Sequence, residues 1–344
     1  QLTLPGGDRV PVGGLTNVAV QATHRRRGVL RGLMDAHLAD CRERGDAASV
    51  LMASQSDIYG RFGYGETTQT AGWRIEAYAG GYERSADTGG SFRYLQQEEA
   101  ASTLAAIYPR AVAGRAGALD RPGNWFDGVL ARKAGWMGGG DVFVVVHRAA
   151  DGDDDGYVLY RIDTSGPPGG EVGSVDIIEL LAGDPLVEAA LWRFCLDIDL
   201  VDDVTYLWGP VDPAIAGHLA DPRRLEATRL QDFLWLRPLD VAALLGRRTY
   251  RVEGRMVLGV DEPDDQEVHG TWSVEVADGA VHVERTNAPA AVTMSAASLG
   301  AVCLGGRSVD GLARTGRIEG ADTDVAMADL MMGTARPPWC ITKF

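Results

Sequence analysis

The chain has 344 residues, 45% of them hydrophobic and 24% charged, the make-up of an ordinary globular protein with room for two or three domains. Its 33 basic residues stand against 48 acidic ones, a net charge of −15 that argues against nucleic acid as a general partner. No apolar run approaches the ~20 residues that cross a bilayer, and no signal peptide is visible, so a cytoplasmic protein with no membrane partner is expected. The four cysteines (Cys41, Cys195, Cys303, Cys340) and six histidines form no CxxC, HExxH or zinc spacing, so reduced thiols and no metal are expected.

In chain order, residues 15–20 are apolar and β-branched and predict a strand. Beyond Arg27 and Gly28, residues Leu30, Leu33, Met34, His37, Leu38 and Cys41 recur at helical spacing and predict one buried face, with Gly45 as the stop. A strand at 48–52 and the glycine-rich run IYGRFGYG (58–65) come next. Strands are predicted at 141–147 and 157–162, joined by the acidic loop 150–156. Its spacing is wrong for an EF-hand and no Glu closes it. A helix is predicted over 185–200, short alternating strands at 271–276 and 280–283, and helices near 295–304 and 323–332. The pattern is a mixed α+β (α/β) chain with no internal repeat and no low-complexity linker.

The run VAVQATHRRRGVL (18–30) bears most directly on chemistry. It reads as strand, arginine-rich turn and helix start. Free N–H groups and a partial positive charge at a helix N-terminus bind phosphate, glycine lets the backbone approach, and the arginines add charge. The run lacks the Lys-Ser/Thr of a P-loop and the GxGxxG of a dinucleotide fold, which leaves a pyrophosphate grip or a solvated basic turn.

Val-x-Val followed by Arg-Arg-x-Gly-x-Leu resembles the acetyl-CoA motif of the GNAT acyltransferases. With IYGRFGYG, LWRF (191–194), DPRRL (221–225), LWLR (234–237), LGG (304–306) and the PWC ending (338–340), the chain resembles the Eis (enhanced intracellular survival) branch, aminoglycoside N-acetyltransferases. The resemblance implies three domains. A GNAT acetyl-CoA-binding domain spans 1–78. A second, degenerate GNAT-like domain without its own cofactor spans 79–238, and a sterol-carrier-protein-like domain spans 239–344. Only residues 1–17 precede the motif strand, so the first domain is expected to be incomplete at its N-terminus.

The same resemblance implies roles. Backbone groups of Val18, Ala19 and Val20 hold the pantetheine and polarise the thioester. Arg26, Arg27, Gly28, Val29, Leu30 and Arg31 hold the phosphates, and Ser54 and Gln55 line the pantetheine arm. Tyr59 is the general acid that protonates the departing thiolate, with Tyr64 as second choice. A phenol near ~10 and a thiol near ~8.5 are close enough for that transfer. From the residues alone a packing tyrosine is the commoner reading. The α-carboxylate of Phe344, ionised at neutral pH, is the general base for the amine, and the apolar PPWC approach argues against a frayed tail. The implied partners are acetyl-CoA and a polycationic amine such as an aminoglycoside, in a homohexamer. Lys343 departs from this picture, since it would repel a polycation. The readings from other classes are a non-catalytic acyl-CoA- or lipid-binding protein, motivated by the third domain, and a protein-lysine acetyltransferase.

Overall fold

The structure, a computed structural model, describes residues 1–77, 88–131, 141–163 and 173–344. The boundary expected between residues 78 and 79 lies outside the described residues. The chain packs as two compact units, one of residues 1–69, 114–119 and 232–344, the other of residues 70–113 and 120–231.

The first unit begins with a strand–helix–strand crossover. Strand Val12–Leu15 runs parallel to Ala48–Met52, in the register Gly13↔Ser49, Gly14↔Val50 and Leu15↔Leu51. Parallel neighbours need a crossover, and helix Val29–Glu43 supplies it. The predicted strand at 15–20 is a correction. The ladder stops at Leu15, and Asn17 takes the left-handed region (φ 55), which ends the extended path, so residues 16–20 carry no strand pairing. The helix is as expected in extent. Met34, Leu38 and Cys41 are buried, while Leu33, expected on the same face, is 46% exposed. Gly45 (φ 74) closes it: its N–H donates to the Arg42 carbonyl at 2.9 Å and that of Asp46 to Cys41 at 2.9 Å, a Schellman pair.

The crossover strands continue into a sheet ordered Val12–Leu15, Ala48–Met52, Leu234–Pro238, Gly65–Glu66, whose last two pairings are antiparallel. The motif helix covers one face, where Gly13 leaves room for Cys41. Helix Ala296–Val302 covers the other, with every residue buried. Glycine makes that approach possible. A Cβ on Gly65 would overlap the Ala297 carbonyl, and one on Gly300 the Leu236 carbonyl.

This helix belongs to the C-terminal part of the unit, built on the sheet Ala280–Arg285, Gly270–Ala277, Gly254–Asp261, Val292–Ser295, Ile318–Gly320. Alternation sets its inner face: Met256, Leu258 and Val260 on one strand and Trp272, Val274 and Val276 on the next are all buried. They pack with Leu299, Val302, Met331 and Met332, the last two from helix Asp322–Met332. Arg248, 1% exposed, donates to the Cys303 and Met332 carbonyls at 2.7 and 2.6 Å, joining two helix C-termini.

In the second unit, seven strands among the described residues are ordered Glu226–Asp232, Gln69–Glu76, Val201–Gly209, Gly173–Ala182, Asp154–Asp163, Phe143–Arg148, Ser91–Tyr94. The parallel pair here is Gly173–Ala182 with Val201–Gly209, bridged by helix Pro185–Leu196. That helix ends four residues before the predicted 200; Asp197 caps it and Leu200 turns left-handed (φ 59). The acidic loop is shorter than predicted, since Asp154 already pairs in the hairpin with Arg148. Among the described residues no group of His, Cys, Asp and Glu is arranged to hold a metal, and no helix is long and apolar enough to cross a membrane.

Candidate active site

The two parallel strands of the first unit end side by side at Leu15 and Leu51. The segments leaving them therefore emerge at the same end of the sheet, where α/β folds bind ligands. From one strand come residues 16–20, including Val18, Ala19 and Val20, whose backbone is free of the sheet. From the other come Ser54 and Gln55, both exposed. The helix N-terminus opens at the same end. Gly28 sits ahead of the helix at φ 77 with open space where a Cβ would stand, so its glycine is required by backbone conformation. Arg26 is also left-handed (φ 61). The first helical bond runs from Gly32 N–H to the Gly28 carbonyl at 3.0 Å, which leaves the N–H groups of Val29, Leu30 and Arg31 pointing out of the helix end. Arg25, Arg26, Arg27 and Arg31 are exposed and make no ion pair with any described residue. Bare donors and unpaired cations together fit an anionic ligand.

The second unit repeats the crossover but closes the equivalent helix end. Asp184 caps helix Pro185–Leu196 by accepting from Leu186 N–H at 2.8 Å, and Pro185 has no N–H to offer. A carboxylate there repels the anion that the first crossover would attract.

Tyr59 ends the single helical turn Ser56–Tyr59, for which Gln55 stands at the N-cap. Its ring packs with Met34, Leu38, Leu51 and Phe62 and meets Tyr64 edge-on, centroids 6.2 Å apart. It is 8% exposed, and its hydroxyl has no hydrogen-bond partner among the described residues while keeping contact with solvent. Tyr64 is the opposite case. It is fully buried, its hydroxyl lies 2.7 Å from Ser49 Oγ, and burial pushes its phenol well above the ordinary value. It is locked and dry, which suits packing better than proton exchange with a ligand.

A third group in this cluster was not legible as polar. His37, counted among the apolar positions, holds Ser49 Oγ at 2.7 Å through Nε2, and burial, then the nearby Arg44 charge, lowers its pKa. Ser49 Oγ also reaches the Gly13 carbonyl at 3.3 Å, which can only accept. A Ser49 proton directed there leaves Ser49 to accept from both Tyr64 and the Nε2–H tautomer of His37. The chain of hydrogen bonds is neutral and runs behind the Tyr59 ring. Its only sequence signal was a histidine within a helical stripe.

The C-terminus reaches the same sheet. Trp339, Cys340, Ile341 and Thr342 are buried, and Trp339 N–H donates to the Ala116 carbonyl at 2.8 Å. Phe344 lays its ring on Gly14 of the motif strand: a Cβ built there would be 3.3 Å from ring Cε2. The tail is therefore anchored, as the PPWC approach predicted, on the strand from which Val18, Ala19 and Val20 emerge.

A parallel strand pair with a bare, arginine-flanked helix end is the cosubstrate-gripping unit of a GNAT acyltransferase. The Acetyltransferase (GNAT) domain family matches residues 1–67 and, through a second family of the same description, 117–238, and the Sterol carrier protein domain family matches 241–341. An uncharacterized N-acetyltransferase of Streptomyces avermitilis is 33% identical over 354 residues, covering 100% of this chain and 84% of its own. N-acetyltransferase Eis of Mycobacterium tuberculosis is 32% identical over 330 residues, 94% of this chain and 78% of its own. The crystal structure of Eis1 from Mycobacterium abscessus superposes with a TM-score of 0.90 at 32% identity, over 100% of this chain and 85% of that one. The chain belongs to the Eis-like GNAT N-acetyltransferases.

Proposed function

We propose that this N-acetyltransferase moves an acetyl group from acetyl-CoA to a primary amine of a small polycationic substrate such as an aminoglycoside, with Tyr59 as general acid and the Phe344 carboxylate as general base. The observation that carries the reading is the seating of Phe344 on Gly14, on the strand that leads to Val18, Ala19 and Val20, in a chain whose Tyr59 hydroxyl makes no hydrogen bond among the described residues. Acetyl-CoA supplies an activated thioester. The N–H groups of Val29, Leu30 and Arg31, with Arg26, Arg27 and Gly28, would hold its phosphates, and Ser54 and Gln55 would border its arm. Unpaired backbone N–H groups at Val18, Ala19 and Val20 would stabilise charge on the carbonyl oxygen. Phe344 takes a proton from the substrate ammonium, directly or through water; the freed amine forms the new N–C bond as the C–S bond breaks, Tyr59 gives its proton to sulfur, and the second proton shed by the nitrogen passes through solvent to restore the phenol.

The division 1–78, 79–238, 239–344 is our working layout, with cofactor binding confined to the first part. The Asp184 cap supports that restriction. Against the lipid-binding alternative, the third domain's interior is occupied by its own Trp272, Leu299, Met331 and Met332. A net charge of −15 would favour a polycation at long range, while Lys343 opposes it locally. A cytoplasmic homohexamer is the assembly we expect; sedimentation checks the hexamer. The deciding experiment is CoA-thiol release across aminoglycosides, polyamines, arylamines and lysine peptides. Release with aminoglycosides upholds the reaction and the substrate class. Release only with peptides or other amines replaces the substrate. Acetyl-CoA binding with no release for any amine sinks the catalytic reading.

A further inference from the structure

The loop that carries Tyr59 is held from outside its own sequence. After Tyr59 the chain makes the turn Gly60–Phe62 and reverses at Gly63 (φ 77). Local bonds are few: Gly63 N–H to Gly60 at 3.0 Å and Tyr64 N–H to Tyr59 at 3.3 Å. Beside the ring packing and the Tyr64–Ser49 bond, the loop is gripped by Arg237 on strand Leu234–Pro238. Its Nη1 donates to the Phe62 carbonyl, and its guanidinium fills the space a Cβ on Gly63 would need. The GRFG motif is therefore shaped around an arginine 174 positions away.

Arg237 is in turn aimed by the third domain. Nη2 donates to Asp265 Oδ2 at 2.9 Å, and Glu262 Oε1 lies 3.6 Å from Nη1. Asp265 sits in a tight turn, its N–H bonded to the Glu262 carbonyl and its carbonyl accepting from Val268 and His269. Its carboxylate also takes Arg42 from the last turn of the motif helix. The arginine and aspartate side chains are 6% and 4% exposed, and Arg237 Nε has no partner among the described residues. A buried ion pair with an unsatisfied donor is a weak way to gain stability. A planar fork that fixes a carbonyl on one prong and a carboxylate on the other is a strong way to gain position.

We infer that Arg237 is a positioning residue for Tyr59, and that the sterol-carrier-like domain, through Asp265 and Glu262, sets the geometry of the general acid. This rests on the reading of Tyr59 as that acid, and it gives the third domain a part in catalysis distinct from supplying the C-terminus. Among the described residues the Asp265 side chain bonds to Arg237 and Arg42 and to no residue of the loop, so its effect there is read through Arg237.

The test uses the full chain with Arg237→Lys, Asp265→Asn, Tyr59→Phe and the double variant Arg237→Lys/Tyr59→Phe. The first readout is amide hydrogen exchange, which requires no amine substrate. Arg237→Lys and Asp265→Asn should each speed exchange at Gly63 and Tyr64 at least tenfold, with strand Ala48–Met52 unchanged. Arg42→Gln, which removes the helix's ion pairs to Asp265 and Glu267 but leaves Arg237 bonded to Asp265, should leave the loop as it was. Unchanged loop exchange in Asp265→Asn overturns the inference whatever the activity. The second readout is turnover with the best amine of the panel. Arg237→Lys should lower kcat at least tenfold with KM for acetyl-CoA within twofold, and add no further loss in the Tyr59→Phe background. Additive losses, or full kcat in Arg237→Lys, overturn the positioning role while Tyr59 stands. Full activity in Tyr59→Phe overturns the general acid itself, and the inference with it.

Discussion

Gly14 offers the sharpest test of the C-terminal base, because it perturbs Phe344 without touching it. A Cβ at Gly14 would stand 3.3 Å from the Phe344 ring, closer than relaxed carbon contacts of ~3.5–4.0 Å, so Gly14→Ala asks the ring to shift only a few tenths of an ångström. Gly14→Val adds carbons ~1.5 Å beyond the Cβ, and with strand geometry at least one of them meets the ring. The ring must move by roughly 1 Å, which disturbs the packing that fixes the terminal residue and with it the position of the carboxylate. Misplacement of a reacting group by that much costs on the order of a hundredfold in rate, about 2.7 kcal/mol of barrier. Valine suits a strand, so the overpacking penalty on stability stays within ~1–3 kcal/mol. Steady-state CoA-thiol release should show Gly14→Ala within about threefold of the parent and Gly14→Val down about a hundredfold in kcat. Appending one residue after Phe344 should lower kcat by a comparable factor, because it moves the charge by a residue's length of ~3.5 Å. Full kcat in both Gly14→Val and the extended chain would refute the base assignment.

Three other outcomes are expected from the geometry. On the proposed phosphate grip, replacing Arg26 and Arg27 together with Ala should raise KM for acetyl-CoA about tenfold with kcat little changed, the contribution of each exposed cation being reduced by solvent screening; calorimetric titration checks it. Gly65→Ala and Gly300→Ala each force backbone apart where a helix meets the sheet, and should destabilise the fold by about 1–3 kcal/mol or more, read as a drop in denaturation midpoint. Burial keeps His37 neutral by lowering its folded pKa, so its share of stability is present above the unfolded value near ~6.5 and fades as pH falls from there toward the folded one. Thermal melts between about pH 8 and pH 5 should therefore fall less steeply for His37→Gln than for the parent, and equal slopes would contradict a lowered pKa at the half-buried imidazole.

Much of the motif region was legible because its signals are local. Gly45 is the stop expected of it because a left-handed residue closes the helix at that point. Strand Ala48–Met52 has the predicted bounds, a short apolar run with few alternatives. Alternation gave the strands near 271–276 and 280–283, each extended by one or two residues in the structure. Local signals also misled. Val-x-Val looks like a strand, but the pairing that defines one had already ended at Leu15, and a single left-handed Asn17 decided it. Leu33 fits the helical period, yet lies near the exposed end of the helix, where no described element covers it.

What the sequence determined by itself is therefore the arginine-rich turn, the glycine-stopped helix behind it, the apolar aromatic tail and the kinship with the Eis-like acetyltransferases. Each rests on residues close together in the chain, or on motifs read as strings. What only the tertiary structure decided is which distant residues act on one another: Phe344 on Gly14, Arg237 behind the Tyr59 loop, Asp265 behind Arg237, His37 beneath Ser49 and Tyr64. Local propensity and periodicity fix conformation within a turn or two. Contacts between elements, whether a dozen or more than a hundred residues apart in the chain, depend on which sheet face, which register and which glycine gap the folded chain brings together, and those are set by the simultaneous packing of all the elements.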